Sequence, residues 1–324
     1  MIKVALIGIG GMGEVHYNSY RSAKNCKLIA VADIREEMAR EKVKEDDINI
    51  YHDMDELLKN ENPDIVDICT PSYMHADMSI KALESGINVL CEKPMTLNSK
   101  DAERVIEAVK KSGKLYMVAH VVRFTKAYEY LKEFIENEEL GKLVRLDMKR
   151  LSDTPVWSWE NWMQDEKKSG GAPLDLSIHD VDFVQGVLGM PDKISGVCNK
   201  MSRNENDYIL SQMIYGDTVV TTEGAWFKYK IPFEAKFTAI FQNGTIKFEN
   251  GVLTKNRVEI ELEKLNECSD SGINISASNS NVAEIEYFAE CVATGTQPTK
   301  VMPESSKQSI ELMEKIIENS IVLE

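Results

Sequence analysis

The sequence lacks an apolar run long enough to cross a bilayer, a CxxC pair, a low-complexity stretch and any Lys/Arg cluster. Each absence excludes something. Without a run of about 20 apolar residues there is no helical membrane span to place. The six cysteines (Cys26, Cys69, Cys91, Cys198, Cys268 and Cys291) are scattered, so neither zinc nor a disulfide framework organises the chain, and reduced, partly buried thiols are expected. Acidic residues outnumber basic ones 53 to 38, for a net charge of −15. A polyanion would need a basic face, so nucleic acid is not an expected partner. The opening Met1–Gly8 carries one Lys and a short apolar run with no cleavage-like site, and it reads as a buried strand rather than a leader. A cytoplasmic protein with no membrane partner is expected. Histidine is scarce too, at five in 324 residues, which makes each one informative.

What is present is a repeating pattern. Short apolar runs at Val4–Ile7, Leu28–Ala32, Ile65–Cys69, Val89–Cys91 and Leu115–Ala119 alternate with amphipathic stretches. Runs apolar on both faces suit strands buried in a parallel sheet. Between them, Ala102, Val105, Ile106 and Val109 make one helical stripe. The spacing predicts a doubly wound α/β domain over 1–120. Beyond it come a helix over Tyr128–Ile135, a strand over Leu143–Leu151, an irregular stretch with Trp157, Trp159 and Trp162, and a helix over Leu174–Leu188. Segments Val219–Thr222, Ala235–Phe241, Gly244–Phe248 and Arg257–Leu262 predict a mostly antiparallel sheet, with a hairpin turn at Gln242-Asn243-Gly244. Helices over 282–293 and 303–320 close the chain. The last has a stripe of Ile310, Met313, Ile317 and Ile321, and packing of this helix back onto the first domain is one arrangement open to it. Residues 121–324 thus read as a second, α/β domain.

The first strand runs into Gly8-Ile9-Gly10-Gly11-Met12-Gly13, a G-x-G-x-x-G. A lone match is weak, but here it follows a strand and opens a helix. Gly8 allows the tight turn, Gly10 admits a pyrophosphate to the backbone, and Gly13 lets the helix pack on the sheet. Gly11 and Met12 lie at the helix N-terminus, where N–H groups and the dipole favour anions. The second strand ends at Asp33, 20 residues after Gly13, the spacing of the carboxylate that binds a ribose 2′-OH. A carboxylate there favours NAD. Arg35 leaves NADP open, because an Arg nearby accommodates a 2′-phosphate. The bland alternatives are an N-cap for Asp33 and a solvated helix residue for Arg35.

The fifth run ends Cys91-Glu92-Lys93-Pro94. A lysine between a buried strand and a proline sits where open α/β sheets bind ligands. Both forms of its peptide to Pro94 are open, with cis the uncommon one for an X–Pro bond. Further on, Ser169-Gly170-Gly171-Ala172-Pro173 leads into Asp175 and His179, which share a helix face at i, i+4. Two ligands without a third do not make a metal site, and none is expected.

Taken in order, Gly8–Gly13, Asp33, Thr70-Pro71-x-x-x-His75, Glu92-Lys93-Pro94 and Gly170-Gly171…Asp175-x-x-x-His179 resemble the Gfo/Idh/MocA family of oxidoreductases over essentially the whole chain. The resemblance implies a Rossmann domain, then an α/β domain whose large open sheet carries homodimer or homotetramer contacts. It implies that Lys93, Asp175 and His179 are the catalytic Lys, Asp and His. It further implies that Thr70, Pro71, His75, Glu92 and Lys93 border the nicotinamide. The segments Ala172-Pro173 and His120–Phe124 depart from the usual family pattern, which bears on the substrate and not on the reaction class.

The function this implies is hydride transfer between NAD(P) and a secondary alcohol of a cyclic polyol or sugar, as in inositol and glucose dehydrogenases. His179 would accept the hydroxyl proton, Lys93 would stabilise charge on the oxygen, and Asp175 would orient His179. Lys93 as proton acceptor is the variant. Arg123, Asp153, Trp157 and Trp162 are candidate substrate contacts, against core packing as the bland reading for the tryptophans. Competing classes are a cofactor-bound sensor without turnover, a reductase of a non-sugar carbonyl or imine, and a glycosidase that oxidises transiently through NAD.

Overall fold

The computed structural model describes residues 1–44, 46–199, 207–261 and 279–323. Their contacts divide them into two compact units. The first holds residues 1–96, 100–121 and 279–307, and the second holds 97–99, 122–261 and 308–323, each within the described residues.

The first unit is built on six parallel strands: β1 (Ile2–Ile7), β2 (Cys26–Ala32), β3 (Asn49–Tyr51), β4 (Ile65–Ile68), β5 (Asn88–Glu92) and β6 (Tyr116–Ala119). Their spatial order is β3-β2-β1-β4-β5-β6. The order reverses between β1 and β4, which puts the ligand crevice at the carboxyl ends of those strands. Val4, Ala5, Leu6, Val66, Val89, Met117 and Val118 are completely buried, as covering on both faces requires. The connecting helices are α1 (Gly11–Ser22), α2 (Glu36–Lys42), α3 (Met54–Asn60), α4 (His75–Glu84) and α5 (Ser99–Ser112). Ala102, Val105 and Ile106 of α5 face the core as the stripe predicts. β3 carries no sequence signal, because one exposed and two half-buried residues give no apolar run. The Lys93–Pro94 peptide is cis, the less common of the two forms the sequence leaves open.

The second unit carries α6 (Lys126–Asn137), β7 (Leu143–Asp153), α7 (Glu166–Ser169), α8 (Ile178–Leu188), β8 (Lys193–Asn199), β9 (Asp207–Tyr215), β10 (Thr218–Phe227), β11 (Glu234–Phe241), β12 (Gly244–Glu249), β13 (Val252–Lys255) and β14 (Val258–Ile260). Then come α9 (Asn279–Thr294), α10 (Pro303–Glu318) and β15 (Ser320–Leu323). Nine strands form a mixed, mostly antiparallel sheet ordered β14-β13-β12-β11-β7-β10-β9-β8-β15, with β7/β10 and β8/β15 parallel. Gln242-Asn243 makes the expected turn between β11 and β12. Leu262 and Cys268 lie outside the described residues.

Two expectations change. The helix expected over Leu174–Leu188 is regular only from Ile178, because Pro173–Ser177 is a π-helical turn, entered from Gly171 at φ +66°. The stripe on the last helix runs through Ile310, Met313 and Ile316, all essentially buried, whereas Ile317 is 38% exposed. Ile321 belongs to β15, whose pairing with β8 turns it outward. α9 belongs to the first unit, where Glu286 accepts from Lys24 N–H and Asn25 Nδ2, both at 2.8 Å. Of α10, residues 303–307 group with it.

Candidate active site

In the first unit the glycine loop is shaped by backbone packing. A Cβ at Gly13 would lie 2.0 Å from the Gly8 carbonyl oxygen, and Gly8 itself has φ +86°. At Gly10 the nearest atom to such a Cβ is the tip of Arg35, 3.9 Å away. The loop is thus crowded where helix meets strand and open where a phosphate would approach. α1 starts at Gly11 with no side-chain cap, which leaves its first N–H groups for an anion.

Asp33 is buried at the end of β2. Its carboxylate accepts the Ile9 N–H at 3.0 Å and the Arg35 N–H at 2.9 Å, and it pairs with the Arg35 guanidinium at 3.2 Å. It is not an N-cap, since that place at α2 belongs to Arg35. Its bonds bridge the glycine loop to the turn after β2, where a ribose would lie against the loop. Lys42, which carries no motif signal in the sequence, donates to the carbonyls of Ile9 (3.0 Å) and Gly10 (3.4 Å) and to Glu14 (2.5 Å). These residues fit a dinucleotide: an open glycine backbone, uncapped N–H groups and one ribose carboxylate.

At the next two strand ends, Thr70-Pro71 follows β4 and Lys93-Pro94 follows β5. His75 is buried between them. Its Nδ1 faces the Pro94 carbonyl at 2.7 Å and its Nε2 faces the Thr70 carbonyl at 2.9 Å. Burial opposes charge on this ring, but the Cys91 sulfur and the two carbonyls outweigh it and raise the pKa to about 9. Glu92 is also buried. One oxygen accepts the Lys93 N–H at 3.0 Å, and the other lies 2.9 Å from Nε2 of His16. Burial would protonate Glu92, but His16, Lys93 and His75 hold its pKa below the usual value. His16 Nδ1 in turn meets Asp67 Oδ2 at 2.7 Å. His16, Asp67 and Cys69 bring potential ligand atoms within 4.8 Å of one another, a space the His16–Asp67 hydrogen bond already fills. The sequence held a signal for this group: a carboxylate inside Ile65-Val66-Asp67-Ile68, a strand buried on both faces, demands a partner.

In the second unit, Asp175 stands in the π-helical turn and His179 one turn on, in α8, where His179 is buried. π-turns recur at functional sites because they displace side chains from the α-helical register. The entry to this turn is fixed by Asp207 of β9, whose carboxylate accepts the Ala172 N–H at 2.5 Å. A Cβ at Gly171 would lie 2.3 Å from that carboxylate, so glycine is required there. Burial raises the Asp207 pKa to about 6. α8 is buried from Ile178 through Gln185, and its acids are paired: Asp180 with Arg150 at 3.1 Å, and Asp182 with Arg123 through two 2.7 Å bonds. Arg123, a candidate substrate contact, therefore braces α8. Trp162 packs on the cluster of Met163, Ala172, Leu176 and Trp226. Trp157 is 52% exposed, and Asp153 is half-buried at the end of β7.

Residues 2–120 match the oxidoreductase family with an NAD-binding Rossmann fold, and residues 128–254 match the Gfo/Idh/MocA C-terminal domain. The chain is 30% identical over 191 residues to myo-inositol 2-dehydrogenase of Thermotoga maritima, covering 58% of this chain and 55% of that protein. It is 30% identical over 192 residues to D-glucoside 3-dehydrogenase of Escherichia coli, covering 59% and 55%. It is 28% identical over 223 residues to 2,7-anhydro-N-acetylneuraminate hydratase of Mediterraneibacter gnavus, covering 67% and 59%. The matches thus span little more than half the length of these curated relatives. In fold, the chain superposes on a levoglucosan dehydrogenase with TM-score 0.82 at 20% identity, over 98% of this chain and 96% of that one. It superposes on myo-inositol 2-dehydrogenase of Lactobacillus plantarum with TM-score 0.80 at 20% identity, with the same coverage. Motifs, topology and family match agree, and the chain belongs to the Gfo/Idh/MocA family of oxidoreductases, with an NAD-binding Rossmann domain and the family's C-terminal domain.

Proposed function

We propose that the protein is an NAD-dependent dehydrogenase acting reversibly on a secondary alcohol of a cyclic polyol or sugar. The observation that carries this reading is a lysine fixed at the carboxyl end of β5, its backbone N–H bonded to Glu92, in a sheet whose glycine loop and Asp33 suit a dinucleotide. Inositol and glucoside dehydrogenases among the relatives support the substrate class. The nicotinamide, when bound, supplies the hydride acceptor. His179 accepts the hydroxyl proton, Lys93 donates a hydrogen bond to the reacting oxygen as charge develops there, and Asp175 orients the base or a neighbouring hydroxyl. Asp33 disfavours a 2′-phosphate and so selects NAD over NADP. Trp157 offers an exposed ring for a sugar face, and the nine-stranded sheet joins copies into a dimer or tetramer.

A panel of inositols, aldoses and glycosides, screened with NAD and NADP by nicotinamide absorbance, tests the reading. NADH formation with one polyol is expected, together with losses of orders of magnitude in Lys93→Ala and His179→Ala while NADH still binds. No turnover across the panel, or normal turnover in either variant, defeats it. Light scattering on the purified protein tests the assembly, and a monomer at micromolar concentration would refute it.

A further inference from the structure

Two of the five histidines are buried on either side of the Lys93 turn, and neither enters the chemistry proposed above. His16, on α1, is completely buried, with Nδ1 2.7 Å from Asp67 Oδ2 and Nε2 2.9 Å from Glu92 Oε1. Tyr20 Oη donates to the same Asp67 oxygen at 2.7 Å. The other oxygen of Glu92 accepts the Lys93 N–H at 3.0 Å. His75, at the start of α4, has both ring nitrogens on backbone carbonyls, Pro94 at 2.7 Å and Thr70 at 2.9 Å.

The charge of both rings follows from what they face. A carbonyl only accepts, so both nitrogens of His75 must donate, which a neutral imidazole cannot do. His16 stands between two carboxylates, hydrogen-bonded to Asp67 through Nδ1 and with Nε2 2.9 Å from a Glu92 oxygen, a setting that favours a charged ring. The groups around His16 are Asp67 from β4 and Cys69 just after it, Tyr20 from its own helix, Glu92 from β5 and Glu284 from α9. Burial pushes the Glu284 carboxyl well above the usual carboxylate range, against a further anion here. The groups around His75 are Cys91, the two carbonyls and, through charge alone, Glu92. Replacing a whole buried ion network by apolar groups is often neutral or stabilising, so stability alone does not account for these ions. What the two clusters share is the residue between Glu92 and Pro94.

We infer that His16 and His75, as imidazolium cations, are positioning residues for Lys93. His16 fixes Glu92, which holds the Lys93 N–H. His75 fixes the Pro94 carbonyl and ties it to the Thr70 carbonyl beyond β4. Between them they set where the lysine side chain leaves the backbone. The inference rests on the role proposed for Lys93, and a misplacement of about 1 Å at a reacting group costs roughly a hundredfold in rate.

Two measurements test it on the full chain. With ¹⁵N-labelled histidine, nitrogen NMR at pH 7.5 should show two protonated ring nitrogens for both His16 and His75, assigned by single His→Gln variants. A neutral ring at either position overturns the inference, and this readout needs only the wild-type protein if an assigning variant is replaced by elimination among five residues. In steady-state kinetics, His16→Gln, His75→Gln and Glu92→Leu should lower kcat about 10- to 100-fold. KM and the NADH Kd should move by less than about threefold. Glu92→Gln keeps a carbonyl for the Lys93 N–H and should recover most of the kcat lost in Glu92→Leu. A purely structural role would lower Tm and leave kcat per folded molecule at the wild-type value, and that result refutes the inference. Lys93→Ala separates the two failures. If it is inactive while the histidine variants keep full kcat, the positioning role falls alone. If it turns over normally, the role of Lys93 falls and the inference with it.

Discussion

The sharpest test of the second unit is Arg123. Its guanidinium meets Asp182 through Nε–Oδ2 and Nη2–Oδ1 bonds of 2.7 Å each, with Ser309 Oγ donating to Oδ1 at 2.8 Å. The side chains are 11% and 1% exposed. The fork lies close over Gly186 of α8, where a Cβ would come within 3.0 Å of Cζ. Arg123→Met keeps the stem and removes the charge, stranding a buried carboxylate. Breaking one side of a buried pair costs about 3–5 kcal/mol. At roughly 2–4 °C per kcal/mol for a unit of this size, Tm falls by about 6–20 °C. Arg123→Lys should recover little, because a single ammonium cannot make the two parallel bonds. The double variant Arg123→Met/Asp182→Leu removes both charges and should regain most of the loss, a coupling on the order of 2 kcal/mol or more. Thermal unfolding followed by circular dichroism reads all three. If Arg123→Met melts like wild type and instead raises KM for the substrate, the residue is a substrate contact and does not brace α8.

Two glycines separate packing from binding. Gly13→Ala would press a methyl on the Gly8 carbonyl and should weaken NADH about 10- to 100-fold, or 1–3 kcal/mol, whereas Gly10→Ala meets only the Arg35 tip and should leave Tm unchanged while still impairing NADH binding; fluorescence titration and melting check both. Asp207 has its folded pKa raised to about 6, so the folded state holds the extra proton and the stabilisation, about 3 kcal/mol at most, is lost as pH rises from about 4 through 6. Asp207→Asn should therefore raise Tm more at pH 8 than at pH 4, and an equal gain at both would refute burial as the cause. His75, raised to about 9, works over another window: its contribution is intact below about pH 6.5 and lost as pH rises through 9, and His75→Gln should flatten that slope in urea midpoints measured from pH 6 to 10.

The first unit was legible because its signals are local. Five of its six strands are apolar on both faces, and the glycine loop sits between a strand and a helix, so periodicity and spacing suffice to place them. β3 has neither signal: one of its three residues is exposed and two are half-buried, and only pairing with β2 makes it a strand. The last helix misled for a related reason. Ile317 and Ile321 continue an apolar pattern in sequence, but the helix stops at Glu318 and the pattern passes to an edge strand.

The candidate site was legible by residue type and illegible by role. Lys93, Asp175 and His179 stand out because a strand-end lysine and a one-turn Asp/His pair are rare juxtapositions. What the sequence could not say is which polar residues face outward and which are spent inside. Arg123 carries no sequence sign of Asp182, 59 positions away, which holds the Nε/Nη2 edge of its guanidinium. His75 gives no sequence sign that both of its nitrogens lie on backbone carbonyls. His16 carries no spacing signal at all, because its partners come from two other strands. The π-turn belongs to the same class of fact: it depends on Asp207 holding the Ala172 N–H, a contact 35 residues apart. In each case the missing information is the partner of a buried polar group. An ionisable residue inside an otherwise apolar strand, as at Asp67, must have such a partner, because burying its charge alone would cost several kcal/mol. That makes Asp67 the one position in the amino-acid sequence that announces the His16–Glu92 network, although it cannot name the residues that complete it.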